Sequence, residues 1–253
     1  MPEEPATGPK PPATCIAAHY LSYGSEGSAF APVIPMVPPL SQVSAVIFDI
    51  DGTLIDSNAA HAETWAQALT EHGVPRDAAA VRPLIGMGSD KLLPAIAGLD
   101  EESPEGRAIG QRKKQLFAER RPRLRPTRGA RALATYLRDQ GKTMVIATSA
   151  DEEEMHAMLE QAGVADLIPC RTSSDDAARS KPDPDIVLAA LRQAASAPAR
   201  TVMVGDTPYD VEAAHRAGIG AIALRCGGYW PYGALAGALA VPDDPEALLA
   251  RWR

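Results

Sequence analysis

From Ser44 onward, short apolar runs alternate with stretches whose apolar residues recur at helical spacing. No other feature constrains the fold as strongly. "AVIF" (Ala45 to Phe48), "TMVIA" (Thr143 to Ala147), "TVMV" (Thr201 to Val204) and "AIAL" (Ala221 to Leu224) read as strands buried on both faces. "DLIPC" (Asp166 to Cys170) is a further candidate strand. Between them, Ala130, Leu133, Ala134 and Leu137 share one helical face, as do Met155, Met158, Leu159 and Ala162, and Val187, Ala190, Leu191 and Ala194. Asp183 before Pro184, and Thr207 before Pro208, each set a capping side chain ahead of a proline at a first helical position. Strands alternating with helices predict an α/β fold: a parallel sheet covered by helices on both faces.

One region interrupts the alternation. Residues 58–125 show helical patterns only, such as "AHAETWAQALTEHG" and "RAIGQRKKQLFAERR". An all-helical unit inserted after the first strand is expected there, with residues 44–57 and 126–253 forming the core. Residues 1–43 are crowded with proline and are expected to be a mostly unstructured extension. Its acidic start and proline-broken apolar runs give no signal peptide or membrane span. A net charge of −7 argues against a nucleic-acid partner. Three scattered cysteines, Cys15, Cys170 and Cys226, suit neither a disulfide framework nor a zinc site, so a cytoplasmic protein is expected. Oligomeric state leaves no trace in the sequence.

The first strand ends in "VIFDIDGTLIDS", which sets Asp49 and Asp51 almost side by side. Like charges that close repel unless a cation or a reaction requires them. Ligands of open parallel sheets sit beyond the carboxyl ends of the strands, and other polar residues fall at such ends. Thr148 and Ser149 follow the second strand, Lys181 lies in "SKPDPD", Asp206 closes "TVMV" in "VGDTPYD", and Asp210 lies one turn further on. Magnesium favours one or two carboxylates with waters and phosphate oxygens. An aspartate can attack phosphorus, and a second carboxyl can protonate the leaving alcohol. Lys181 and Thr148 suit the phosphoryl oxygens, and Gly52 allows close approach of backbone amides.

"DIDGTLIDS", "VIATSA", "SKPDPD" and "VGDTPYD", in this order, resemble the four motifs of the haloacid dehalogenase-like hydrolases, in the helical-cap branch of phosphoglycolate phosphatases and β-phosphoglucomutases. The resemblance runs from about Val43 to the C-terminus. It implies a Rossmann-like core, with the helical insert as a cap. It also implies a magnesium-dependent phosphatase acting on a small phosphorylated metabolite through an aspartyl-phosphate. Asp49 would be the nucleophile and Asp51 the general acid/base, with Thr148 and Lys181 binding phosphate. Gly52, Thr53 and Ser149 would contact the substrate. Asp49, Asp206 and the main-chain carbonyl of Asp51 would hold Mg2+, supported by Asp210. A sugar-phosphate mutase keeps the same motifs and stays open as an alternative. The dehalogenases and phosphonoacetaldehyde hydrolases usually lack the second aspartate, which is present here. An inactive binding relative would typically have lost the nucleophile or the metal aspartate.

Within the insert, "RPLIGMGSDKLL" reads either as a substrate loop offering Arg82, Ser89 and Lys91 or as a turn before a helix capped at Ser89. Lys91 could serve a Schiff-base chemistry if the phosphonate alternative held. The basic series from Arg112 to Arg131 reads as the solvated face of a cap helix and its return linker, with attraction of a phosphorylated substrate as the alternative. His61, Trp65 and Leu69 fall on one helical stripe and read as packing residues, with His61 facing the site as the alternative. Trp230 and Tyr232, in "CGGYWPYG", are expected in a loop near the rim.

Overall fold

The computed structural model describes residues 36–253, so most of the expected N-terminal extension lies outside the described residues. Five parallel strands form the sheet: β1 (Ala45–Phe48), β4 (Thr143–Ala147), β5 (Cys170–Thr172), β6 (Thr201–Gly205) and β7 (Gly220–Ala223), in the order β5-β4-β1-β6-β7. β1 lies between β4 and β6, with Ile47 opposite Val145 on one side and Met203 on the other. The chain leaves β1 at the point where strand order reverses, the usual place for a ligand in such a sheet.

Alternate residues of the sheet feed two cores. Ala45, Ile47, Val145, Ala147 and Met203 pack with Ile186, Val187 and Ala190 of a helix spanning Asp185–Ala194. Val46, Phe48, Met144, Ile146, Val202 and Val204 pack on the other face with Leu133, Leu137, Met158 and Leu248. Both faces are therefore dry, which explains why the strands read as continuous apolar runs. The three helical stripes read from the sequence are buried, Leu191 only partly.

A two-stranded antiparallel ribbon, β2 (Ile55–Asp56) and β3 (Arg125–Pro126), ties the chain where it leaves the core and returns. Between them lie four helices: α1 (Asn58–Glu71), α2 (Ala78–Val81), α3 (Ser89–Ala97) and α4 (Pro104–Arg120). Trp65 and Leu69 of α1 pack in the same apolar cluster as Leu92, Leu93, Ile109 and Leu116. The remaining helices are α5 (Ala130–Asp139), α6 (Glu152–Gln161), α7 (Asp185–Ala194), α8 (Pro208–Arg216) and α9 (Pro245–Trp252).

Three local expectations change. The strand expected at Asp166–Cys170 starts only at Cys170. Leu167 and Ile168 are buried in the preceding turn, and Pro169 has no N–H for a ladder. Asp183 does not cap α7, whose cap residue is Pro184 with no side-chain bond; it pairs instead with Lys91 at 3.0 Å. Ser89 opens α3 as its first residue, with Gly88 at the cap. Of the expected extension, Val37 and Leu40 pack against the second core, and Trp252 donates its indole N–H to the Pro38 carbonyl at 3.0 Å. Among the described residues no helix is long and apolar enough to cross a membrane.

Candidate active site

The ends of β1, β4 and β6 and the loop before α7 converge. Asp49 keeps its N–H bonded to the Val204 carbonyl at 2.9 Å, so its backbone continues the sheet. Its Oδ1 accepts from Lys181 Nζ at 2.5 Å, and the same ammonium donates to Asp210 Oδ1 at 2.7 Å. Asp210 Oδ2 accepts from the Thr207 N–H and hydroxyl at 3.0 and 2.7 Å, closing a capping box at the start of α8. The expected Thr207 cap thus also fixes a site carboxylate. Lys181 is almost fully buried, and although burial works against its charge, Asp210 and Asp49 raise its pKa above the ordinary lysine value.

Asp206 completes the cluster. Its Oδ2 accepts from Asn58 Nδ2 at 2.7 Å, while its buried Oδ1 has no hydrogen-bond partner among the described residues. Asp49, Asp206 and Asp210 bring carboxylate oxygens within 4.8 Å of one another. Burial, with Asp210 and Asp51 adding to it against Lys181, pushes Asp49 up to about 7. Burial, with the neighbouring charges of Asp210 and Asp49, pushes Asp206 well above the carboxylate range. Three buried carboxylates facing one ammonium, with an orphaned oxygen among them, fit a hard divalent cation. The walls are close: a Cβ at Gly52, whose φ is +72°, or at Gly227 would collide with the Asp206 carboxylate.

Asp51 faces a different environment. Its Oδ1 accepts from Ser57 Oγ at 2.5 Å and lies 2.8 Å from His61 Nε2. Ser57 is the residue at the N-terminus of α1 and His61 lies in its first turn. The imidazole stacks on Phe117 of α4, with centroids 3.9 Å apart and planes 14° from parallel. Burial alone would raise the Asp51 carboxyl, but His61, Ser57 and Lys113 outweigh it and hold it at about 2. One carboxylate is therefore pushed up and its neighbour two residues away pulled down, the separation expected of groups with different tasks.

Asp49, Asp51, His61, Thr148, Ser149 and Ser89 line one cavity of about 440 Å³. Thr148 is buried, its hydroxyl oxygen accepting from the Ala150 N–H at 3.2 Å, and the buried Ser149 Oγ has no partner among the described residues. Ser89 Oγ donates to Glu101 at 2.5 Å. Gly52 and Thr53 do not line the cavity; Thr53 is fully buried, and its carbonyl accepts from Thr127 Oγ1 at 2.6 Å.

Lys91 does not line the cavity. Its ammonium donates to the Ser180 carbonyl and pairs with Asp183 and Asp90 at 3.0 and 3.5 Å, binding α3 to the lysine loop. Arg82 donates to the Gly227 carbonyl. Trp230 is buried near the rim, edge-on to Tyr209 at 5.8 Å, while Tyr232 is exposed.

Sequence reasoning missed Ser57, Asn58 and the role of His61. A usable signal was present: a helix starting at Asn58, shortly after Asp51, must hold its first turn over the rim. It also missed Lys113, which the basic series hid. Lys113 is buried, 4.8 Å above the Phe117 ring, and pairs with Glu154 at 3.3 Å.

Residues 46–224 match the family described as "Haloacid dehalogenase-like hydrolase". The phosphoglycolate phosphatase of Rhodospirillum rubrum is 33% identical over 81% of this chain and 88% of its own length. The N-acetylmuramic acid 6-phosphate phosphatase of Pseudomonas aeruginosa is 29% identical over 82% of this chain and 94% of its own. The crystal structure of a hydrolase from Pseudomonas syringae superposes with a TM-score of 0.77 and 28% identity, covering 82% of this chain and 96% of that one.

Proposed function

This chain belongs to the haloacid dehalogenase-like hydrolases, and on that premise we propose that it is a magnesium-dependent phosphatase. It cleaves a small phosphate monoester, of the phosphoglycolate or sugar phosphate type, through an aspartyl-phosphate on Asp49. One observation carries the reading. Asp49 and Asp51 line the same cavity, the first clamped by Lys181 beside the buried carboxylate cluster, the second bonded to a proton carrier.

Lys181 fixes Oδ1 of Asp49, and Oδ2 is the oxygen that attacks phosphorus. The hydroxyls of Thr148 and Ser149 donate to the phosphoryl oxygens as charge spreads over them. The bond from phosphorus to the leaving oxygen breaks, and that oxygen takes the proton shared by Asp51 and His61. The 2.8 Å contact between Asp51 Oδ1 and His61 Nε2 gives the pair a path by which a proton reaches the leaving group through the carboxylate. Water then attacks the aspartyl-phosphate, Asp51 takes the proton back, and Asp49 is released. Asp49, Asp206 and the Asp51 carbonyl would hold Mg2+, which when bound offsets negative charge on the phosphoryl group. Asp210, with both oxygens engaged, acts by holding Lys181 and the start of α8.

The Schiff-base alternative loses its geometry, because Lys91 is engaged with the Ser180–Asp183 loop. The direct test is release of inorganic phosphate from p-nitrophenyl phosphate. Release that stops in EDTA and returns with Mg2+ supports the reading; release undiminished in EDTA, or none with Mg2+, contradicts it.

A further inference from the structure

The catalytic end of the cavity needs one phosphoryl group, and its outer wall tells what that group is attached to. Away from Asp49 and Asp51 the lining carries six carboxylates, Asp90, Glu101, Glu102, Asp151, Glu154 and Asp175, against two ammonium groups, Lys113 and Lys114. Among the described residues no arginine lines it. Both lysines are already matched: Lys113 Nζ lies 3.3 Å from Glu154, and Lys114 Nζ lies 2.6 Å from Asp151. Two cations outside the lining are matched as well: Lys91 is held by Asp183, the Ser180 carbonyl and the lining Asp90, and Arg107 pairs with the lining Glu102 at 2.6 Å. This leaves Glu101 and Asp175 as the lining carboxylates with no ion pair among the described residues.

We propose that the leaving group is an uncharged polyhydroxylated one, of the sugar or sugar-alcohol class, and that this wall rejects substrates bearing a second anion. The inference rests on the phosphatase reading and narrows it, turning away from phosphoglycolate and from bisphosphates. An ionised carboxylate accepts hydrogen bonds and cannot donate them. A wall of acceptors therefore suits a ligand rich in hydroxyl donors, and it repels a second carboxylate or phosphate that finds no free cation. Size agrees. A cavity of about 440 Å³ is in the range that encloses a ligand of sugar size or larger, whereas a glycolate would leave most of it to water. Trp65, Ile85, Met87 and Ile186 give the same cavity an apolar portion that suits the C–H face of a sugar ring.

Lys113 supplies the sharpest test, because Glu154 alone separates it from being a free cation in the cavity. Turnover of glucose 6-phosphate, phosphoglycolate and p-nitrophenyl phosphate is compared in the wild type and in Glu154→Gln. The neutral sugar ester is expected to exceed phosphoglycolate in kcat/KM by about tenfold or more, a difference of about 1.4 kcal/mol or more. Glu154→Gln should shrink that ratio by raising kcat/KM for phosphoglycolate, and added salt should shrink it in the wild type. Turnover of the aryl ester together with equal or better use of phosphoglycolate by the wild type overturns the inference alone. So does a Glu154→Gln ratio equal to or above that of the wild type in enzyme that is folded and cleaves the aryl ester. If Glu154→Gln fails to fold, the wild-type ratio and its salt dependence decide the matter. No turnover of any ester, p-nitrophenyl phosphate included, overturns the phosphatase reading and this inference with it.

Discussion

His61 Nε2 lies 2.8 Å from Asp51 Oδ1, although the two residues belong to different parts of the fold, the rim of the sheet and the first turn of α1. The imidazole is held flat against Phe117, so α4 fixes the ring plane while α1 fixes its position. The helical insertion thereby reaches both ends of the site: His61 meets the proton-transfer carboxylate, while Asn58, at the start of the same helix, donates to Asp206 of the cluster that would hold the metal.

Substitution at either member of this pair should depend on the leaving group. His61→Ala and Asp51→Asn are expected to lower kcat/KM for alkyl phosphates by roughly 10²-fold or more. The loss on p-nitrophenyl phosphate should be clearly smaller, since its leaving oxygen needs little protonation. Steady-state kinetics on both esters decides. Equal losses on the two would mean that the pair acts on the metal site and not on the leaving group.

The buried cluster predicts how stability varies with pH. Asp49 is raised from 3.8 to about 7, so its protonated form stabilises the fold fully below about pH 4, and that contribution is lost as pH rises through about 7. In EDTA the melting temperature should therefore fall between pH 4 and 7. Excess Mg2+ should raise Tm and flatten that slope, since a bound cation favours the ionised carboxylates. Asp51 has the opposite sign: held at about 2, against 3.8, it contributes above about pH 4 and is lost as pH falls toward 2. Thermal scans across pH with and without Mg2+ check both, and a Tm in EDTA that rises from pH 4 to 7 would contradict the cluster's electrostatics.

Gly227→Ala tests the tightness of the metal site from behind. Its Cβ would collide with the Asp206 carboxylate, and the neighbouring backbone is held by Arg82 and Asn58 through the Gly227 carbonyl. The carboxylate must move. The expected result is a higher Mg2+ concentration for half-maximal activity, by about tenfold or more, a shift of about 1.4 kcal/mol. Unchanged Mg2+ dependence would mean that Asp206 is not placed by this wall.

Much of this was legible in the sequence. The strands announced themselves because both faces of the sheet are dry, and strand ends fixed where Asp49, Thr148 and Asp206 would meet. Lys181 was placed by its motif alone, since its loop has no periodicity. The helical insertion was legible as helix and opaque as chemistry. A stripe such as His61, Trp65 and Leu69 says which face is buried, but not that its first residue meets a carboxylate and the next two an apolar cluster. Lys91 misled for a related reason: a lysine beside glycines suggests a ligand, while Ser180 and Asp183 of a loop distant in sequence claim it. Lys113 was hidden because a run of basic residues looks solvated until one of them is found over Phe117.

The central claim is that Asp49 carries the phosphoryl group, and trapping tests it most directly. Wild-type enzyme turning over p-nitrophenyl phosphate with Mg2+ is quenched in acid, digested and analysed by mass spectrometry, beside Asp49→Asn treated the same way. The account predicts one hydroxylamine-labile phosphoryl group on Asp49 in the wild type. It predicts none in the variant, whose turnover should be nearly abolished because an amide cannot form the acyl phosphate. A phosphoryl group on any other residue, or a variant that keeps a tenth or more of wild-type turnover (roughly 1.4 kcal/mol or less of barrier), would contradict it.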